Sequence, residues 1–293
     1  MLNGLTLSWS WSLGGFVCMV LLAALYLFGL WRVNLRRRQD PQAPTVHPIR
    51  IAAFFVGWLL FALLFFSPIH TIGRTQLFSV HMAEVVTLTT LCAPLLLGGC
   101  SAVLLGPALD NRITGSIIRF LTHPVVASVI FNATFLAWHA PKIFNGAMGS
   151  APLYNTMMLT IFLTSLLNWW PIIGSISELK QHGYPLQMLY VVLDGQPVDI
   201  FAFLLVFSGV GLYPHYLIPA QMNMSHFADQ AVAGAILLIP GLVDLAVMTP
   251  LFISWMGLLE QKTRLADERR ARARELDDDE EDEDAQINMG QAF

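Results

Sequence analysis

The eight histidines of this chain are unevenly placed. His70, His81, His139, His215 and His226 stand at the ends of apolar runs or in the short stretches between them. A single histidine at such a boundary is ordinarily a satisfied surface group. Several at one boundary suggest metal chemistry, because imidazole is the commonest side-chain metal ligand. Two places also put a thioether beside it: His81-Met82, and Met222-Asn223-Met224-Ser225-His226. Imidazole with thioether suits copper, and methionine favours its monovalent state. The candidate ligands are therefore His81, His139, His215, His226, Met222 and Met224. Glu84 follows His81 at an i, i+3 spacing, on the same side of a helix. It could ligate, or accept a hydrogen bond from a ligating imidazole. Asp229 has the choice of capping a helix or orienting a histidine in the same way. The cysteines, Cys18, Cys92 and Cys100, form no closely spaced pair, and Cys92 and Cys100 are expected as small packing residues.

Three further acids, Asp194, Asp199 and Asp244, lie inside apolar runs. An ionisable group there costs at least about 2.5–3.5 kcal/mol to insert, so a role in proton or ion passage is one expectation. The plainer one is that Asp194 or Asp199 caps a helix broken at Gly195-Gln196-Pro197.

The elements that must position these residues follow from composition. The chain has 293 residues, 55% hydrophobic and only 12% charged, with mean hydropathy +0.60. Soluble domains carry about 25% charged residues, so the expectation is an all-α, polytopic transmembrane bundle. A helix crosses the hydrocarbon in about 20 residues, which predicts seven spans. They begin with Leu13 to Trp31, Ile51 to Ile69 and Ser79 to Gly99. The fourth runs from His123-Pro124 to Trp138-His139-Ala140-Pro141. Leu153 to Ile173, Leu186 to Leu212 and Ala228 to Leu258 complete the set. HTIGRTQLF and KIFNGAMGSAP read as outer loops, and the stretch from Cys100 to Thr122 reads as an inner loop with an interfacial helix. ISELKQHGYP reads as a further inner loop.

Charge orients the bundle. With the N-terminus outside and the C-terminus in the cytoplasm, 14 of the 16 lysines and arginines fall inside, leaving only Arg74 and Lys142 outside. No basic residue precedes the first span, which opposes a cleaved signal peptide. Residues 1–260 form the membrane domain, and residues 261–293 a charged cytoplasmic tail. Its block DDDEEDED (277–284) is expected to remain unordered.

In this order the motifs resemble the CtaG-type family of cytochrome c oxidase assembly proteins, bacterial multi-spanning membrane proteins. The resemblance rests on His81-Met82 opening a span that continues to Ala93-Pro94-Leu95-Leu96-Leu97-Gly98, and on His123-Pro124. Trp138-His139-Ala140-Pro141, Trp170-Pro171, Tyr213-Pro214-His215-Tyr216 and Asp229-Gln230 with Ala233-Gly234 add to it. Together they cover about Ser79 to Met256. The chain departs from the family at Val85 and at Tyr154-Asn155, where the family often has histidine. The resemblance implies copper delivery to, or insertion into, a haem-copper oxidase subunit in the same bacterial plasma (inner) membrane, with other copper chaperones as possible suppliers. It implies no nucleic acid partner, no catalysed reaction and no nucleophile. Two rivals remain at this stage. One is a proton- or metal-coupled transporter using the embedded aspartates. The other is a haem- or quinone-dependent redox protein with paired axial histidines.

Overall fold

The computed structural model describes residues 5, 7–104, 112–173 and 183–290, with residues 275–290 as backbone only. The inner loop around Lys180 and His182 lies outside the described residues. Twelve α-helices organise them. The first five are α1 (Leu13–Gln39), α2 (Pro48–Phe66), α3 (Pro68–Thr75), α4 (Phe78–Thr87) and α5 (Ala93–Gly99). Next come α6 (Arg112–Leu121), α7 (Pro124–His139), α8 (Pro141–Met148) and α9 (Ala151–Ile173). The chain ends with α10 (Tyr184–Phe207), α11 (His226–Leu237) and α12 (Pro240–Gly290).

Among the described residues six helical segments are long and apolar enough to cross a membrane. A seventh arises if α6 and α7, bent by 66° to each other, count as one span. Alone, α7 has 16 residues, short of the bilayer's need. Four sequence expectations are corrected. The two outer loops are eight-residue helices, α3 and α8. The broken span expected around Asp194 is instead an unbroken helix running through Pro197. The breaks lie elsewhere, at a π-helical turn over Leu88–Cys92 and at the α11–α12 junction before Pro240. Finally, helix α12 continues to Gly290 through the acidic block expected to be unordered. A helix closes its backbone hydrogen bonds within itself and needs no tertiary cover, and the Arg264–Glu268 and Arg270–Asp267 pairs support its exposed middle.

The span formed by α4, the π turn and α5 is the hub, with 67% of its apolar window buried against 11% for α1. Its N-terminal half packs on α3 and α11, and its C-terminal half on α2 and α9. Helix α10 joins α11, α12 and α7, and α7 returns to α9. The π turn has a local cause. Pro94 has no N–H to close the normal ladder, and the Ala93 N–H bonds to the Leu88 carbonyl. The widened turn lets the Trp169 indole N–H reach the Thr89 carbonyl at 2.7 Å. Helices α2 and α5 approach closely because Gly99 has no side chain, and a Cβ there would lie 2.6 Å from the Cβ of Phe54.

Candidate functional site

The start of α4 lacks a cap from its own N-cap residue, Leu77. Four helix N–H groups at such an end need acceptors, and in a bilayer water does not supply them. Asp229 on α11 supplies two: its carboxylate accepts from the amides of Phe78 (2.6 Å) and Ser79 (3.1 Å), and from the Ser79 hydroxyl. Thus Asp229 acts as a cap from a distant helix and, among the described residues, makes no hydrogen bond to a histidine. It fixes the rotation of α4, whose inward face carries His81 and Glu84, exposed to 0% and 1%.

From His81 a chain of hydrogen bonds crosses three helices. Its Nδ1 lies 2.9 Å from the Tyr154 hydroxyl on α9. That hydroxyl is 3.0 Å from Glu84 Oε2, while Glu84 Oε1 is 2.5 Å from His70 Nδ1 on α3. His70 Nε2 in turn faces the Asn155 side-chain oxygen at 2.7 Å. Helix α3 comes this close because residue 73 is glycine; a Cβ there would meet Glu84 Oε2 at 3.1 Å. Both ring nitrogens of His70 face oxygens, the arrangement of an imidazolium donating on each side. Burial disfavours that charge, but the Glu84 carboxylate and the hydrogen bonds His70 donates to Glu84 and Asn155 outweigh it and raise the His70 pKa above its ordinary value.

On the other side of His81, its Nε2 lies 3.3 Å from Nε2 of His139, at the end of α7. Proton accounting decides the state of this contact. Tyr154 has one hydroxyl proton and donates it to the carboxylate, so it must accept from His81 Nδ1–H. His139 Nδ1–H donates to the Phe135 carbonyl at 2.7 Å. Each neutral imidazole has then used its only N–H. Two Nε2 lone pairs therefore face each other in a fully buried space. Aromatic rings wall it: Phe135 stacks on His139 with centroids 4.2 Å apart, and Phe144 lies 5.1 Å from His81. The buried Tyr213 donates to the His139 carbonyl at 2.5 Å and so ties the loop after α10 over the pair.

Facing lone pairs repel unless a proton or a cation lies between them. The donors are neutral imidazoles with no thiolate or carboxylate in contact, and imidazole is a ligand for copper among other transition metals. Two nitrogens at 3.3 Å reach one ion about 2.0 Å from each only off the line joining them. An ion there would be held by two neutral imidazoles at a bent angle of about 110°. A three- or four-ligand site is another matter: among the described residues no group of three or more His, Cys, Asp or Glu is gathered to hold a metal.

The remaining candidates lie apart. His215 and His226 are exposed, and Met222 and Met224 are half-buried around the left-handed residue Asn223. Among the described residues none of the four has a hydrogen bond or ring contact with the histidine pair. Asp194 is held by two amides, accepting from Asn132 at 3.0 Å and Asn168 at 2.5 Å. With Asp199, Asp244, Thr89 and Thr90 it lines a cavity of about 70 Å³. Phe135 lines the same cavity and stacks on His139, so the acids sit one aromatic ring away from the pair.

Motif order can now be tested against whole-chain similarity. The family model for the cytochrome c oxidase caa3 assembly factor (Caa3_CtaG) matches residues 24–257. This chain belongs to that family. The match spans every helix of the site, from α3 to α11. Comparison with curated proteins gave no match, and comparison with solved structures gave none either. Membership of the caa3 assembly factor family implies a working contact with the oxidase. The several apolar helices make the chain a multi-pass membrane protein. Three members of the network escaped sequence reasoning: His70, which looked like one more boundary histidine, Tyr154 and Asn155. The available signal was Tyr154-Asn155 standing where the family often has histidine.

Proposed function

We propose that this assembly factor carries a monovalent copper ion between His81 and His139 and passes it to an oxidase subunit docked in the same bilayer. One observation carries the reading: two buried imidazoles whose Nε2 lone pairs face each other at 3.3 Å, each made an acceptor by the bond its Nδ1–H donates. Copper is cargo here, and no bond of a substrate is made or broken, so the role is not enzymatic. Two neutral ligands hold the ion without the thiolates that would trap it, which suits transfer. The positive-inside count supports a position for the pair near the outer face of a bacterial plasma membrane, with the N-terminus outside, where other copper chaperones could supply it.

The test is copper content after anaerobic Cu(I) loading of the detergent-purified protein. Wild type should retain about one ion, and His81→Ala/His139→Ala none, with oxidase assembly in cells failing in parallel. Equal retention by both proteins would sink the ligand assignment.

A second reading, cation or proton passage, draws on the three aspartates lining one cavity beneath the pair. It predicts that Asp194→Asn abolishes function while copper stoichiometry stays intact.

A further inference from the structure

At the opposite end of the bundle, α1 and the chain after α5 enclose a groove of about 480 Å³. Its walls are apolar along Leu22, Tyr26, Phe54 and Leu104, and Tyr26 stacks on Phe54 with centroids 3.6 Å apart to give a rigid floor. At its mouth stand Arg32 and Arg36, one helical turn apart and both exposed. Among the described residues neither guanidinium is ion-paired, and Arg32 lies 6.0 Å from the centre of the Phe28 ring. Two free forks of N–H donors over an apolar slot match a ligand with an anionic head and a long apolar tail.

The dimensions agree. From Arg32 to Leu22 the helix rises about 15 Å, half of the roughly 30 Å hydrocarbon core. A head at the arginines therefore places its tail across one leaflet. Guanidinium groups pair with phosphate oxygens bidentately, a geometry that a zwitterionic head already neutralised by its own ammonium satisfies less well.

We infer that this groove is a binding site for one anionic phospholipid of the arginine-side leaflet, with its phosphate between Arg32 and Arg36 and an acyl chain along α1. Bound there, the lipid would join the sparsely packed α1 to α2 and to the segment after α5. The site is independent of the histidine pair.

Native mass spectrometry of the full chain released from mixed phosphatidylglycerol and phosphatidylcholine tests it. Wild type should retain one phosphatidylglycerol with roughly tenfold preference. Arg32→Gln/Arg36→Gln should lose that preference, whereas Arg37→Gln/Arg38→Gln, which removes equal charge outside the groove, should keep it. Leu25→Trp, filling the groove with both arginines present, should also displace the lipid. Equal loss in both arginine pairs would reduce the effect to general charge and overturn the site, as would a second copy of the chain held in place of lipid. Unchanged copper stoichiometry and monodispersity in each variant would exclude misfolding as the cause.

Discussion

Tyr154 is the residue on which the site's chemistry turns, because its single hydroxyl proton dictates which nitrogen of His81 is free. Tyr154→Phe leaves the His81 Nδ1–H without its buried acceptor, and the ring can then present either nitrogen to His139. Loss of such an orienting partner typically lowers metal affinity by about 10–100-fold. The expected outcome is weaker Cu(I) binding in competition with a chelator, at unchanged stoichiometry. A drop in stoichiometry would instead make Tyr154 a ligand. His70 offers a pH test. Its folded pKa is raised by Glu84, above an unfolded value near 6.5. Its pairing with Glu84 therefore stabilises the protein fully below about pH 6.5 and is lost as pH rises through the folded pKa. Thermal unfolding in detergent should show that loss in the wild type between neutral and alkaline pH, while His70→Gln should be flat across the same window. The pair His81 and His139 was legible in the sequence, since each ends an apolar run. The Glu84–Tyr154 bond was not, because 70 residues separate its partners and only the fold brings α9 beside α4.

Spans are legible because each must bury about 20 apolar residues, whatever its neighbours do. Helices α3 and α8 were hidden for the opposite reason: eight residues containing glycine, between two spans, read as loop, and their support comes from packing, of α3 on the hub and of α8 on α7 and α9. Pro197 misled in the same way. A proline removes one donor, but a surrounding bundle tolerates that loss without ending the helix. The cap on α4 is the element whose failure would cost most. Asp229→Ala would leave the Phe78 and Ser79 amides and the Ser79 hydroxyl buried without an acceptor. At about 1–3 kcal/mol for each unsatisfied group, the loss should reach several kcal/mol. Asp229→Asn, which keeps one acceptor oxygen, should lose less. The check is the unfolding midpoint of each variant, together with copper retention. If α4 rotates when uncapped, Asp229→Ala should lose both although it touches no histidine.

At the scale of the whole molecule, the proposed copper carriage raises the question of how an ion would leave a pair that is fully buried. His81 and His139 are both 0% exposed, so the proposed transfer to a docked oxidase would require something to move. The hub cannot move cheaply, since α4 is capped by α11 and clasped by α3. The lighter cover lies over the other side: α8, which carries Phe144 against His81, and the loop between α10 and α11. That loop is pinned at two hydroxyls. Tyr213 donates to the His139 carbonyl, and Tyr216 reaches the Met148 sulfur at 3.6 Å at the end of α8. Both phenols are pushed above their ordinary pKa by burial, so they remain neutral donors at physiological pH. Tyr213→Phe keeps the ring packed on Phe78 and Phe144 and removes only the pin. Copper stoichiometry should stay at the wild-type value while the release rate to an added Cu(I) chelator rises. A net hydrogen bond contributes about 0.5–1.5 kcal/mol, so the acceleration should be a few-fold to about tenfold. A rise in rate with intact binding would place the exit under this cover, on the surface the oxidase must then contact. An unchanged rate would move the exit elsewhere, towards the aspartate-lined cavity behind Phe135.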